Sequence, residues 1–425
     1  MAPKLVSVDS AVKGIRSNTR VWLHGTSATP TPLVEAMVRR HESLSNVEVC
    51  HVHTEGSADY AKKEFSKSFK MNAEFVAHNV RNEVNQPHAT MTPIMLHQIP
   101  KLIRSKDFPV DTTIIQCSPP DRHGFMSLGS NVIATKVAMD HSRHVIGMIN
   151  PNFPRTFGDA TVHMDEVDVL CEEAMPLHCN ASRAGGEIEQ TIGKNVASLI
   201  EDGSTLQIGF GGVPDAVMGF LTSHKDLGVH TEMLSEGVVD LMQKGVINNA
   251  KKAVMPNRMV ASFALGSARL FETINDHPGL MMMNVDWTND PRVIAQNPKV
   301  IAVNGAIEVD LTGQSVADSI GTRIHSGVGG QLDFMRGAAM SEGGKPIIAL
   351  PSRTKKGAAR IVPWIKQGAG VVTGRYDIDY VVTEYGIAKL WGKSLEERAK
   401  ALIAIAHPDD RANLTAEARK RNLMP

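Results

Sequence analysis

Four cysteines in 425 residues, Cys50, Cys117, Cys171 and Cys179, are too few and too scattered for a disulfide framework, which points to a reducing compartment. Net charge is missing too. The 45 basic and 45 acidic side chains cancel, so no field gathers nucleic acid or an anionic membrane. No window approaches the roughly 20 apolar residues of a membrane span, and Met1-Ala2-Pro3-Lys4-Leu5-Val6-Ser7 contains no apolar core of signal-peptide length. The cytoplasm is the expected location, and a small molecule or a second copy of the chain the expected partner. Nucleotide fingerprints are also lacking. After Gly209-Phe210-Gly211 the dinucleotide pattern wants glycine or alanine where Pro214 stands, and no Walker lysine follows either glycine loop. Two metal-like groupings, Cys50-His51-Val52-His53 and Cys171 with His178-Cys179, fall short as well. The first alternates as an unliganded strand would, and the second has no partner pair at finger-like spacing, so no metal site is expected.

What is present is enough apolar content, 42% of 425 residues, for two substantial cores. The order strand, small-residue loop, helix occurs at Arg20-Val21-Trp22-Leu23-His24, Gly25 to Pro30 and onward, and returns at Leu206-Gln207-Ile208, Gly209 to Pro214 and onward. Each copy then shows His-Thr-Glu, at His53-Thr54-Glu55 and His230-Thr231-Glu232. A third echo pairs 75–81 with 263–269. Three echoes in order predict two similar α/β domains, each around a mostly parallel sheet with helical crossovers. Further strands are expected at 112–117, 144–149, 300–304, 346–350 and 380–383, with a helix over 394–407. The small polar stretch 179–186 is the expected boundary, giving domains 1–180 and 187–425. Met281-Met282-Met283 reads as a buried edge.

Glu232 ends a short apolar run just beyond a glycine turn. Such a turn can hold an oxyanionic or phosphate-bearing group against bare backbone N–H groups, and the carboxylate beyond it is a candidate nucleophile. On pattern alone a solvated loop glutamate is the stronger account. A second glycine turn, Ser326-Gly327-Val328-Gly329-Gly330, precedes a helix. Two such loops suit a large, partly anionic ligand that meets the backbone at more than one point.

Taken together, Asn79-Val80-Arg81, Cys117-Ser118-Pro119-Pro120-Asp121, 211–215, 230–240, 326–337, Ala349-Leu350-Pro351-Ser352, Val382-Thr383-Glu384-Tyr385-Gly386 and 404–409 resemble the acetyl-CoA hydrolase/transferase branch of the family I CoA-transferases, which includes 4-hydroxybutyrate, butyryl and succinyl CoA-transferases. The resemblance spans nearly the whole chain. It implies the same two-domain α/β fold and a ping-pong reaction through a glutamyl-CoA thioester, with the nucleophile at Glu232 and no role for Glu55. Motif register favours Glu232 over Glu236, with Glu384 third. The resemblance further implies oxyanion donors at Gly329 and Gly330, with Ser27 and Ala28 as a second contributor. Coenzyme A would lie along Gln207, Ile208, Gly209, Phe210 and Gly211, near Ile307 and at Gly330. The substrates would be an acyl-CoA and a short carboxylate such as 4-hydroxybutyrate, butyrate or acetate, with no tightly bound cofactor and a homodimeric assembly. Hydrolysis of acyl-CoA by the same glutamate is the near alternative. A non-catalytic metabolite-binding α/β protein is the distant one.

Overall fold

A computed structural model describes residues 4–180 and 185–425. Residues 181–184, at the centre of the expected boundary, and residues 1–3 lie outside the described residues. The chain packs as two compact units, one of residues 4–180 with Val260–Thr288, the other of residues 185–259 with Asn289–Pro425.

The first unit is built on an eight-stranded sheet. Its strands are β1 (Lys4–Leu5), β2 (Arg20–Leu23), β3 (Val47–His51), β4 (Phe69–Ala73), β5 (Thr90–Met91), β6 (Thr112–Cys117), β7 (His144–Ile149) and β8 (Val169–Glu172). They lie in the order β1-β8-β7-β6-β2-β3-β4-β5, parallel at every pairing. Helix α1 (Thr31–Arg39) follows β2, and α2 (Thr135–His141) follows β6. All six residues of β6 are buried, as a parallel strand covered on both faces requires. Helix α1 turns Leu33, Val34, Ala36, Met37 and Val38 inward, and each large apolar side chain so buried contributes roughly 1.5–3 kcal/mol.

The second unit carries β9 (Thr205–Ile208), β10 (Gly228–Val229), β11 (Val300–Asn304), β12 (Lys345–Ala349), β13 (Tyr380–Thr383) and β14 (Gly386–Lys389). They lie in the order β10-β9-β11-β12-β13-β14, parallel except for the antiparallel last pair. Its helices are α3 (Glu187–Ala197), α4 (Gly212–Gly219), α5 (Glu236–Gln243), α6 (Gln331–Met340), α7 (Leu395–Ala404) and α8 (Pro408–Lys420). Helix α7 starts on a capping box, in which Ser394 Oγ accepts from the Glu397 N–H while the Glu397 carboxylate accepts from the Ser394 N–H. Its Ala399, Leu402 and Ile403 join one core with Ile348, Val381 and Phe334.

The expected pair of mostly parallel α/β sheets is therefore present, and the first two echoes are structural. β2 pairs with β3 as β9 pairs with β10, and each second strand runs into His-Thr-Glu. The domain limits differ from the packing in one stretch. Residues 260–288 fall within 187–425 in sequence but pack in the first unit. Leu280–Met282 pairs in parallel with Phe157–Gly158, and Asn284 N–H donates to Asp159 Oδ2 at 2.8 Å. Leu270, Phe271 and Ile274 are buried there. The third echo thus joins two segments of one unit, because 263–269 reside beside the fold that they imitate. Among the described residues no helix is long and apolar enough to cross a membrane, and no three His, Cys, Asp or Glu side chains form a group able to hold a metal.

Candidate active site

β10 ends at Val229, and the chain runs through His230-Thr231-Glu232 before α5 begins at Glu236. The His230 N–H still reaches Leu206 O on β9 at 3.2 Å. Its ring stands edge-on to Phe334, centroids 6.3 Å apart, with Nδ1 3.3 Å from Asn297 Nδ2. Thr231 Oγ1 donates to Met233 O at 3.0 Å. The backbone is thereby fixed on both sides of Glu232.

Two groups from distant segments meet the Glu232 carboxylate. Asn289 Nδ2 donates to Oε2 at 2.6 Å and lies 3.5 Å from Asp333 Oδ2. A Cβ on Gly330 would stand 1.8 Å from Glu232 Oε2 and 2.3 Å from Asn289 Nδ2. Gly330 has φ −99°, open to any residue, so the close approach of the carboxylate is what demands glycine. Glu232 is half-buried. Burial pushes its carboxyl up to about 7, the Asn289 hydrogen bond opposes that rise, and the negative charge of Asp333 adds to it. A carboxyl with that basicity is about half ionised at pH 7, and its ionised form is a stronger nucleophile than an ordinary glutamate.

The rival glutamates are otherwise engaged. Glu236 is the first residue of α5, whereas Glu232 precedes the helix, so their four-residue spacing is not a shared helical face. Glu384 accepts from Ser352 N–H at 2.9 Å and from Ser352 Oγ at 2.6 Å. Glu55, the echo of Glu232, sits 3.0 Å from His53 Nε2 and 3.3 Å from Asn180 Nδ2. Burial raises its pKa, but the hydrogen bonds and charges of His53, Asn180 and His78 outweigh burial and hold it below the usual value. One environment makes a glutamate more basic, and the other makes it less so.

The remaining predicted residues divide into groups. Gln207 and Ile208 are buried at the end of β9, with Gln207 Oε1 accepting from Asn304 Nδ2 at 3.0 Å. Gly209, Phe210 and Gly211 form the turn into α4 and line a cavity of about 300 Å³ above the carboxyl ends of β9, β11 and β12. A Cβ on Gly209 or Gly211 would meet nothing within 4 Å; Gly211 has φ +123°, which itself calls for glycine, so only at Gly209 does neither packing nor backbone conformation explain the bare backbone. Ile307 is half-buried beside this cavity's Ala306, its N–H donating to Val316 O at 2.7 Å. Gly329 has φ +59° and leads into Gly330, which caps α6 at the Glu232 carboxylate. Ser27 and Ala28 belong to the first unit and are buried there. Ser27 Oγ lies 2.8 Å from Ser130 Oγ and 3.1 Å from Ala264 O, and the Ala28 N–H donates to Gly25 O at 3.1 Å.

Asn289 and Asp333 escaped the sequence reading. Asn289 stands in Thr288-Asn289-Asp290-Pro291, which reads as the cap of a short helix, and Asp290 does cap Pro291–Ile294. Asp333 occupies the first turn of α6, where an acidic residue is ordinary.

Residues 2–177 match the model of the acetyl-CoA hydrolase/transferase N-terminal domain, and residues 266–418 match that of the C-terminal domain. Over 417 residues the chain is 45% identical to a succinyl-CoA:acetate/propanoyl-CoA:succinate CoA transferase of Fasciola hepatica, a match covering 97% of this chain and 87% of that one. It is 43% identical to the 4-hydroxybutyrate coenzyme A transferase of Clostridium kluyveri, over 98% of each chain. The crystal structure of RipA from Yersinia pestis is similar with a TM-score of 0.94 at 34% identity, covering 99% of this chain and 98% of that one.

Proposed function

Because the chain belongs to the acetyl-CoA hydrolase/transferase family, we propose that it moves coenzyme A from an acyl-CoA to a short carboxylate of the 4-hydroxybutyrate, butyrate or acetate class. The observation that carries this reading is the Glu232 carboxylate, raised in basicity and held by Asn289 against the backbone of Gly330. A Glu232 oxygen attacks the thioester carbonyl. The tetrahedral intermediate collapses to a mixed anhydride and expels the CoA thiolate, which attacks the glutamyl carbonyl and releases the first acid. The enzyme is left as a Glu232 thioester of CoA. A second carboxylate attacks that thioester, and the same steps in reverse release the new acyl-CoA with its bond energy conserved.

Each attack develops an oxyanion. Gly329 and Gly330 are the proposed backbone donors, with Ser27 and Ala28 as a second contributor, and the Asn289 amide is positioned beside the reacting carboxylate to assist. Coenzyme A lies along 207–211, by Ile307 and at Gly330. The domains are 1–180 and 187–425, the second carrying the nucleophile. The proposal includes a cytoplasmic homodimer.

Isotope exchange tests it. Parent protein is expected to exchange labelled butyrate into butyryl-CoA with no second acid present, and to carry labelled acetate into acetyl-CoA when butyryl-CoA is the donor; Glu232→Gln is expected to lose about a thousandfold or more of both rates. Equal rates in the two proteins would refute the scheme. Acid-independent loss of thioester by the parent, unaffected by acetate, would identify hydrolysis instead.

A further inference from the structure

Among the described residues, the cavity at the glycine turn has one cation on its wall, Arg360. Its backbone is held on both sides, Arg360 N–H donating to Ser352 O at 2.8 Å and Arg360 O accepting from Val309 N–H at 2.8 Å. The side chain then reaches Ala306, where Nη1 donates to the carbonyl at 3.0 Å. Nε is buried without a partner among the described residues. An unsatisfied buried donor on a charged group is costly, and burial does lower the pKa of this guanidinium. Most buried arginines are matched by a carboxylate. The carboxylate on this wall, Glu189, packs its stem 3.2 Å from where a Cβ on Gly212 would lie, with Oε2 only 3.1 Å from the corresponding point on Gly186. No hydrogen bond or ion pair joins it to Arg360.

The geometry of the guanidinium narrows the ligand. With Nη1 committed to Ala306, the edge left over is Nε with Nη2, two parallel N–H groups that match two oxygens of one phosphate or carboxylate. The same cavity is lined by the turn through Gly209 and Gly211, where missing side chains leave room for a bulky anion to approach the backbone. In an acyl-CoA the thioester must be at Glu232, so the anion that enters a separate cavity belongs to the nucleotide end of the molecule.

We propose that Arg360, through its Nε–Nη2 edge, binds the diphosphate of coenzyme A in the cavity formed by the glycine turn, Asn304 and Ala306. This assignment rests on the CoA-transferase reading. Arg360 is a binding residue, remote from bond making, so its loss weakens the hold on the nucleotide and leaves the reaction at Glu232 intact.

The test compares Arg360→Met, which keeps the apolar stem, with the parent on three donors: butyryl-CoA, butyryl-dephospho-CoA and butyryl-pantetheine. Arg360→Met is expected to lower kcat/KM about ten- to a hundredfold on the first two through KM, and to change butyryl-pantetheine by less than about twofold. Equal losses on all three donors, or no loss on butyryl-CoA, would overturn the assignment. So would a loss confined to butyryl-CoA, which would move the contact to the 3′-phosphate, or a raised KM for acetate, which would move it to the acceptor. Should Arg360→Met not fold, Arg360→Lys keeps the charge without the fork and is expected to show the same selectivity in smaller degree; parental values on every donor would refute the claim. If the parent itself transfers no CoA, the transferase reading fails separately, and calorimetry with inorganic pyrophosphate decides the site. Binding by the parent that is lost in Arg360→Met upholds the anion site, and absence of binding overturns it.

Discussion

Glu232 and Glu55 share a tripeptide and a place after the same strand, yet they have opposite electrostatics. His53 and Asn180 supply Glu55 with compensating partners, while Glu232 has a single amide donor and the nearby negative charge of Asp333. The reactive form of Glu232 is the carboxylate, so kcat/KM for acyl-CoA is expected to climb about tenfold per pH unit below 7 and to level above it. Replacing Asn289 with alanine removes the bond that lowers this pKa, which moves the acid limb to higher pH and cuts kcat roughly a hundred- to a thousandfold. A pH–rate profile of the two proteins checks both effects. Stability carries the complementary signature. A carboxyl whose folded pKa is raised favours folding fully below the unfolded value and loses that contribution as pH rises through about 7. Glu232→Gln should therefore melt higher than the parent at pH 8 and close to it at pH 4, by calorimetry. At this scale Glu232 was legible as the candidate because its motif is local. Asn289 was not, since it approaches from 57 positions away in a run that reads as a helix cap.

The two glycine turns show how one element serves two purposes. In the first unit a Cβ on Gly25 would lie 2.3 Å from the backbone oxygen of His53, so the turn is glycine to let two protein segments touch. At Gly209 a Cβ would meet nothing within 4 Å. Gly25→Ala is expected to destabilise by roughly 1–3 kcal/mol, whereas Gly209→Ala should stay within about 0.5 kcal/mol of the parent and raise KM for acyl-CoA several-fold. Denaturant titration and steady-state kinetics separate these outcomes. Strands were the most readable elements, with Thr112–Cys117, His144–Ile149, Val300–Asn304 and Tyr380–Thr383 matching their expected limits. Each is a short apolar run closed by turn residues, the pattern of a strand buried on both faces. The expected helix over 394–407 proved shorter, Leu395–Ala404, because the chain must turn at Ile405 to begin α8 with Pro408.

For the molecule as a whole, internal repetition revealed two related α/β sheets, but not that one stretch packs away from its neighbours in sequence. Residues 260–288 contain the 263–269 echo and follow Glu232 in sequence, but their apolar side chains are buried in the first unit. Composition and periodicity report that a segment is buried without reporting where, so this exchange was invisible in one sequence. A fragment of residues 185–425 expressed alone should expose Leu270, Phe271, Ile274, Leu280 and Met282, all buried in the full chain, and bind a hydrophobic dye that the intact protein excludes. The intermediate on Glu232 is the central claim, and intact-protein mass spectrometry after incubation with butyryl-CoA alone tests it most directly. The account predicts a mass increase equal to CoA less one water, abolished in Glu232→Gln and converted by borohydride to a reduced residue at position 232. A parent protein that turns over butyryl-CoA with acetate yet carries no adduct, or carries it on another residue, would contradict it.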